Sequence, residues 1–240
     1  MNIALIGYGK MGKAIEEIAI ERGHKIVAKV NSQTPIEKLK NIKVDVAIEF
    51  TLPDVAVANI NFCLDHSIPV VVGTTAWDNK LPIIKEKVKE TNGALLHASN
   101  FSVGVNLLFA LNKKLAQLIA PYSDYKVSIE EIHHTQKLDA PSGTAITLAN
   151  QIAENHEHYQ NWELISDEHL NTPEKTIPIS ALRIDNVPGT HTIAYQSEID
   201  TLQLKHTAHN RKGFALGAVI AAEFLKGKTG IYTMSDVLNL

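Results

Sequence analysis

The chain holds a single cysteine, Cys63, among its 240 residues, which excludes an internal disulfide framework and any thiolate metal cage. It also lacks a long apolar run: the longest, Phe214 to Ala222, is well short of the ~20 residues that span a bilayer. No charge of one sign dominates, with 23 Lys and Arg against 26 Asp and Glu, a net charge of −3 and a pI near 6.4. Such a balance gives no basic field to hold nucleic acid or an anionic membrane. The first residues, Met1-Asn2-Ile3-Ala4-Leu5-Ile6, have no basic n-region and run into a glycine turn instead of a cleavage site. Together these absences lead to the expectation of a cytoplasmic protein with neither nucleic acid nor membrane as partner. Cys63, inside Ile60-Asn61-Phe62-Cys63-Leu64, is expected to be a packing residue.

What is present is a globular composition, 45% hydrophobic and 20% charged. The length lies between one ordinary domain and two full ones. Eight of the eleven histidines fall between His133 and His209, which raises the question of a proton-handling or anion-binding site there.

Up to about residue 100, short β-branched runs alternate with helical patterns. Residues 2–6, 25–30, 44–50, 69–72 and 94–97 read as strands, and 11–21, 54–65 and 79–90 carry helical apolar spacing. Strand–helix–strand repetition implies parallel pairing with helices on both faces. Beyond Phe101 the texture changes to a long helix over 103–120, an alternating strand over 125–134 and a helix beginning near Ser142. Residues 155–177 are polar and aperiodic and read as a loop excursion. Runs 191–199 and 201–207 then predict a tight hairpin or one bent strand, and their residues Ile193, Tyr195 and Ser197 suit either an exposed face or a core. An apolar helix over 214–225 and a short tail follow. The expected fold is therefore α/β: a doubly wound parallel-sheet (Rossmann) nucleotide domain, 1–103 with 213–240, and an inserted α+β domain, 104–212. The crossings near Ser102 and Lys212 are the expected hinges.

Gly7-Tyr8-Gly9-Lys10-Met11-Gly12 follows the first strand and opens a helix, the context in which a GxGxxG pattern points to a dinucleotide. Gly7 permits the turn, Gly9 lets a pyrophosphate approach, and Gly12 lets helix pack on strand, while helix-end N–H groups hold the phosphates. A ligand-free βα turn is the alternative. The second strand ends in Asn31-Ser32 where a ribose-binding carboxylate is usual. An amide does not repel a 2′-phosphate, so NADPH is expected to serve at least as well as NADH. Gly73-Thr74-Thr75 and Ala98-Ser99-Asn100-Phe101 follow two further strands on the ligand-binding edge, where ordinary turn chemistry also places such residues.

From Glu130 to Ala145 two adjacent histidines end a strand, Lys137 follows in a short loop, and Pro141-Ser142-Gly143-Thr144 starts a helix. Gly143 and Thr144 offer backbone donors suited to a carboxylate, Lys137 a cation or a proton, and a histidine a general acid. The same residues also suit a plain helix cap and a structural histidine. Successive strand residues point to opposite faces, so no metal site is expected from His133, His134 and Asp139.

Glu131-Ile132-His133-His134-Thr135-Gln136-Lys137-Leu138-Asp139-Ala140-Pro141-Ser142-Gly143-Thr144-Ala145 resembles the signature of the dihydrodipicolinate reductase family. The resemblance extends over Gly7–Gly12, Gly73–Thr75, Asn100–Asn106, Gly189-x-His191 and Phe214-Ala215-x-Gly217-Ala218. It implies reduction of 4-hydroxy-tetrahydrodipicolinate to tetrahydrodipicolinate with NADPH or NADH, on the diaminopimelate route to lysine. It further implies His133 and Lys137 as catalytic proton donors, and His134, Gly143 and Thr144 as contacts to a substrate carboxylate. The cofactor is expected at Gly7 to Gly12, Asn31, Gly73 to Thr75 and Ala98 to Phe101, and the inserted domain's sheet is expected to build a homotetramer. Asn31 departs from the acidic residue that many members have there, and Ser32 from the arginine that some carry next to it. Another two-domain dehydrogenase and a nucleotide-sensing module are the rival readings.

Overall fold

The computed structural model describes residues 1–165, 173–210 and 212–240. The chain forms two compact units, Met1–Val103 with Arg211–Leu240, and Gly104–Asn210.

The first unit begins with β1 (Asn2–Ile6), α1 (Lys10–Glu21), β2 (Lys25–Val30), β3 (Val46–Glu49), α2 (Pro53–Asp65), β4 (Val70–Val72), α3 (Leu81–Thr91) and β5 (Ala94–His97). With β11 (Gly230–Tyr232) these strands make a six-stranded parallel sheet of order β11-β5-β4-β3-β1-β2. Alternation divides each central strand between two cores. Ile3 and Leu5 of β1 face α1 and α6 (Lys212–Leu225), while Ala4 and Ile6 face α2 and α3. Burial on both faces explains the near-continuous apolar runs. Cys63 is buried in the second of these cores, where burial pushes its thiol up to about 12.

The expected tail after residue 225 is structured: β11 pairs with β5, and α7 (Met234–Leu238) starts at a capping box of Thr233 and Asp236. A three-residue strand is too short to show a period, and only its pairing with β5 defines it.

In the second unit α4 (Val103–Ile119), β6 (Lys126–His133) and α5 (Gly143–Asn155) are followed by β7 (Asn161–Ile165), β8 (Thr176–Arg183), β9 (Gly189–Gln196) and β10 (Thr201–Ala208). The sheet order is β10-β9-β6-β8-β7, mixed in direction, with α4 and α5 packed on one face. One expectation changes here and one alternative is decided. The supposed loop over 155–177 contains β7, an edge strand with one neighbour and little burial, so it has no need of clean alternation. Its continuation β8 carries Pro178, which disguises a strand in sequence. The runs after residue 190 form a hairpin, closed by Ser197 N–H donating to the Asp200 carbonyl at 2.9 Å. Ile193 and Tyr195 belong to the core under the helices.

Candidate active site

The carboxyl ends of β1, β3 and β4 meet at a cavity of about 450 Å³ lined by Gly9, Lys10, Met11, Gly12, Phe50, Thr51, Pro53, Gly73, Thr74 and Thr75. Gly7, at φ +93°, turns directly against β3, and a β-carbon there would sit 1.9 Å from the Phe50 carbonyl oxygen. Gly12 likewise lies against the Gly7 carbonyl, 2.4 Å from a hypothetical β-carbon. Gly9 caps α1 without a side-chain hydrogen bond, and a β-carbon added to it would meet nothing within 4 Å. The helix start is thus clamped from below and open from above, as a phosphate site requires.

The loop after β4 is fixed by Thr74, whose hydroxyl accepts from Thr51 N–H at 2.7 Å and whose carbonyl accepts from Trp77 Nε1 at 2.8 Å. Below it lies Glu49, buried and bonded to the Thr51 hydroxyl and to Asn59 Nδ2. Burial raises its pKa despite these donors. Phe50, Thr51 and Pro53 were absent from the expected site, although they follow a parallel strand on the ligand-binding edge, the one signal that could have found them.

The other residues expected to hold the cofactor lie outside the cavity walls. The Tyr8 hydroxyl is bonded to Glu16 and to Lys29 Nζ. Asn31 Oδ1 accepts from Gln33 and Thr34 N–H at 2.9 and 3.0 Å, so its amide caps its own loop. Of the segment after β5, Ala98 packs on the core, Ser99 is exposed, and Asn100 Oδ1 accepts from Ser102 N–H. The Phe101 ring is buried 5.6 Å from that of Phe50, and its carbonyl oxygen lies against Gly217, 1.6 Å from a hypothetical β-carbon there.

In the second unit, β6 ends with Glu131 and His133 on the helix-covered face. Register places His191 of β9 opposite Glu131 and Arg183 of β8 opposite His133. Glu131 is wholly buried; it pairs with His133 Nδ1 and accepts from Arg183 Nη2 at 3.0 Å and Ser142 N–H at 3.2 Å. Burial opposes its ionisation, but the bonds and charges of His133 and Arg183 outweigh burial and hold the carboxyl at about 2. Ser142 Oγ accepts from Ala145 N–H, capping α5, and lies 3.0 Å from His191 Nε2. Burial, then the nearby His133, pushes His191 down to about 4. The possible ligating atoms of Glu131, His133 and His191 fall within 4.8 Å of one another. Arg183 already supplies positive charge at that carboxylate, with Nη2 3.0 Å from Oε1.

His134 lies past the strand end, with a buried Nδ1 that has no hydrogen-bond partner among the described residues. Lys137 Nζ pairs with Asp139 at 2.7 Å, and its N–H closes a turn on the His134 carbonyl. At the start of α5, Gly143 leaves the space beside its backbone clear. The strand end, the Lys137 loop and the helix start are tied together by Ser142 N–H and Arg183, which both donate to Glu131, and by the Arg183 bonds to the Lys137 and Asp139 carbonyls. Of the other histidines in the cluster, His156 is buried beside Tyr159, and His169 lies outside the described residues.

Residues 1–101 match the family description "Dihydrodipicolinate reductase, N-terminus", and 104–238 match "Dihydrodipicolinate reductase, C-terminus". The chain belongs to the dihydrodipicolinate reductase family. A 4-hydroxy-tetrahydrodipicolinate reductase of Christiangramia forsetii is 54% identical over 239 residues, covering 100% of this chain and 98% of the relative. One from Rickettsia rickettsii is 37% identical over the full length of both. Among solved structures, a dipicolinate-bound dihydrodipicolinate reductase from Paenisporosarcina sp. TG-14 aligns with a TM-score of 0.78 at 26% identity, covering 97% of each chain. In this chain Glu131 and Ser142, inside the signature segment, bond to Arg183 and His191 from strands dozens of residues away.

Proposed function

We propose that this chain reduces 4-hydroxy-tetrahydrodipicolinate to tetrahydrodipicolinate with NADPH or NADH, in the diaminopimelate branch of lysine synthesis. The observation that carries this reading is the gathering of two histidines, Lys137 and an unobstructed helix start within the Glu131–Ala145 segment. In this reading the first unit binds the dinucleotide and the second binds substrate.

The glycine turn, with a clear approach over Gly9, fits a pyrophosphate, and Thr74, Thr75 and the backbone of residues 98–101 lie at the same strand edge. Once bound, the dihydronicotinamide supplies a hydride. The protein's own task is to hold a cyclic dicarboxylate and manage protons. Gly143 and Thr144 present helix-start donors to one carboxylate, with His134 beside them. Lys137 balances charge and His133 donates a proton as the 4-hydroxyl leaves as water and hydride takes its place on the ring carbon, the C=N bond being kept in the product. Lys137 is kept in place by Asp139 until a substrate carboxylate competes for it.

NADPH serves at least as well as NADH, because Asn31 presents no negative charge and its engaged Oδ1 leaves the amide donor for a ribose or phosphate oxygen. The protein is a cytoplasmic homotetramer assembled through the sheet face of the second unit opposite α4 and α5, where Ser128, Glu130, Ser180 and Leu182 lie. No helix among the described residues is long and apolar enough to cross a membrane. A coupled assay with the upstream synthase, following NAD(P)H oxidation, tests the activity: cofactor binding without oxidation would indicate a sensor. Light scattering tests the tetramer.

A further inference from the structure

We propose that Glu131 and Arg183 act together as a positioning couple for both proton donors: the carboxylate fixes the Nδ1–H form of His133, and the guanidinium fixes the turn that carries Lys137. The proposal rests on the reading of His133 and Lys137 as the groups that move protons.

Strand register brings the couple together. Alternation along β6 puts Glu131 and His133 on one face, and the parallel pairing with β8 brings Arg183 alongside His133. Each carboxylate oxygen then has its own task. Oε1 accepts from Arg183 Nη2 and Ser142 N–H, whereas Oε2 faces His133 Nδ1. An ionised carboxylate cannot donate, so its ion pair with Nδ1 favours the form with the proton there and leaves Nε2 as the atom that gains and loses one. Nε2 lies beside Gly189, where a β-carbon would come within 3.0 Å of it. Glycine at 189 leaves this atom free of that contact.

The charged and titratable groups around the imidazole are Glu131 on its own strand, Arg183 on β8 and His191 on β9, whose ring centroid lies 5.0 Å away. Lys137 and, from β10, His206 act on His191 in turn. Arg183 uses the rest of its fork on backbone: Nη2 donates to the Asp139 carbonyl at 2.6 Å, Nε to the Lys137 carbonyl at 3.2 Å, and Nη1 to the Leu182 carbonyl at 2.8 Å. One planar cation therefore ties the His133 partner to the Lys137 turn. A lysine, with a point charge and no fork, cannot span these acceptors.

The test uses the full-length protein with ¹⁵N-labelled histidine and two variants. In Glu131→Gln, the two donors at the Oε1 position hold the amide oxygen there, so the amide NH₂ faces His133 and requires Nδ1 to accept. We expect neutral His133 to change from the Nδ1–H to the Nε2–H tautomer. Turnover should fall with it, kcat being reduced about 10²-fold and dipicolinate affinity kept within about threefold. In Arg183→Lys, the Nδ1–H tautomer should persist while amide exchange at residues 135–139 quickens about tenfold or more and kcat falls. Retention of Nδ1–H in Glu131→Gln, or unchanged exchange in Arg183→Lys, overturns the positioning couple. An inverted tautomer with undiminished turnover upholds the positioning and overturns the role of His133 in the proposed function.

Discussion

Gly7 and Phe50 meet so closely that a β-carbon on the glycine would lie 1.9 Å from the phenylalanine carbonyl oxygen. The contact locks the turn after β1 onto the end of β3, and Gly7 N–H donates to the Val30 carbonyl of β2 at 3.0 Å. Gly7→Ala adds positive-φ strain to this clash and is expected to destabilise the fold by more than about 1 kcal/mol and to abolish dinucleotide binding. Gly9→Ala, with no atom to clash against, should fold with stability within about 0.5 kcal/mol of the parent yet bind dinucleotide more weakly. Thermal unfolding and dinucleotide titration of the two variants check the contrast; equal effects in both would contradict it.

His133→Ala and Lys137→Ala should each lower kcat by more than about 10²-fold, the scale of a lost proton donor. The folded structure should survive, because the turn is held mainly through Arg183 and backbone carbonyls. Steady-state kinetics beside circular dichroism make the comparison, and near-normal turnover in both variants would remove these residues from the chemistry.

Cofactor choice is tested at Asn31. An aspartate keeps the acceptor that caps Gln33 and Thr34, so Asn31→Asp should leave stability unaltered. The new negative charge should reduce kcat/KM with NADPH at least about tenfold relative to NADH. A parent enzyme with a strong NADH preference would contradict the reading of this loop.

Acid stability has a defined sign. The Glu131 carboxyl is held at about 2, below its ordinary 4.5. A depressed carboxyl contributes stability in full above its unfolded pKa, and the contribution is lost as pH falls from about 4.5 toward about 2. Denaturant unfolding across this window should show a steeper loss for the parent than for Glu131→Gln. Parallel curves would show that Glu131 does not set the acid limb.

The two units differ in how much of them could be read along the chain. In the first, strands buried on both faces gave continuous apolar runs at the expected places, and the glycine turn declared itself because its demands are local: a positive φ at Gly7 and a helix start at Lys10. β7 and β11 could not be read in this way. An edge strand with one neighbour and a strand of three residues are defined by pairing with β8 and β5, and pairing between distant segments leaves little local pattern.

The active-site segment divides along the same line. Sequence by itself determined which chemical groups stand between Glu131 and Ala145, because strand end, turn and capped helix start are near neighbours along the chain. Tertiary structure alone decided that Arg183 and His191 join them, since a side chain's partners across a sheet depend on register. It also decided that Asn31 serves its own loop and that the Phe101 ring turns inward. Local geometry fixes what a residue can offer, and only packing of distant strands fixes which atoms accept it.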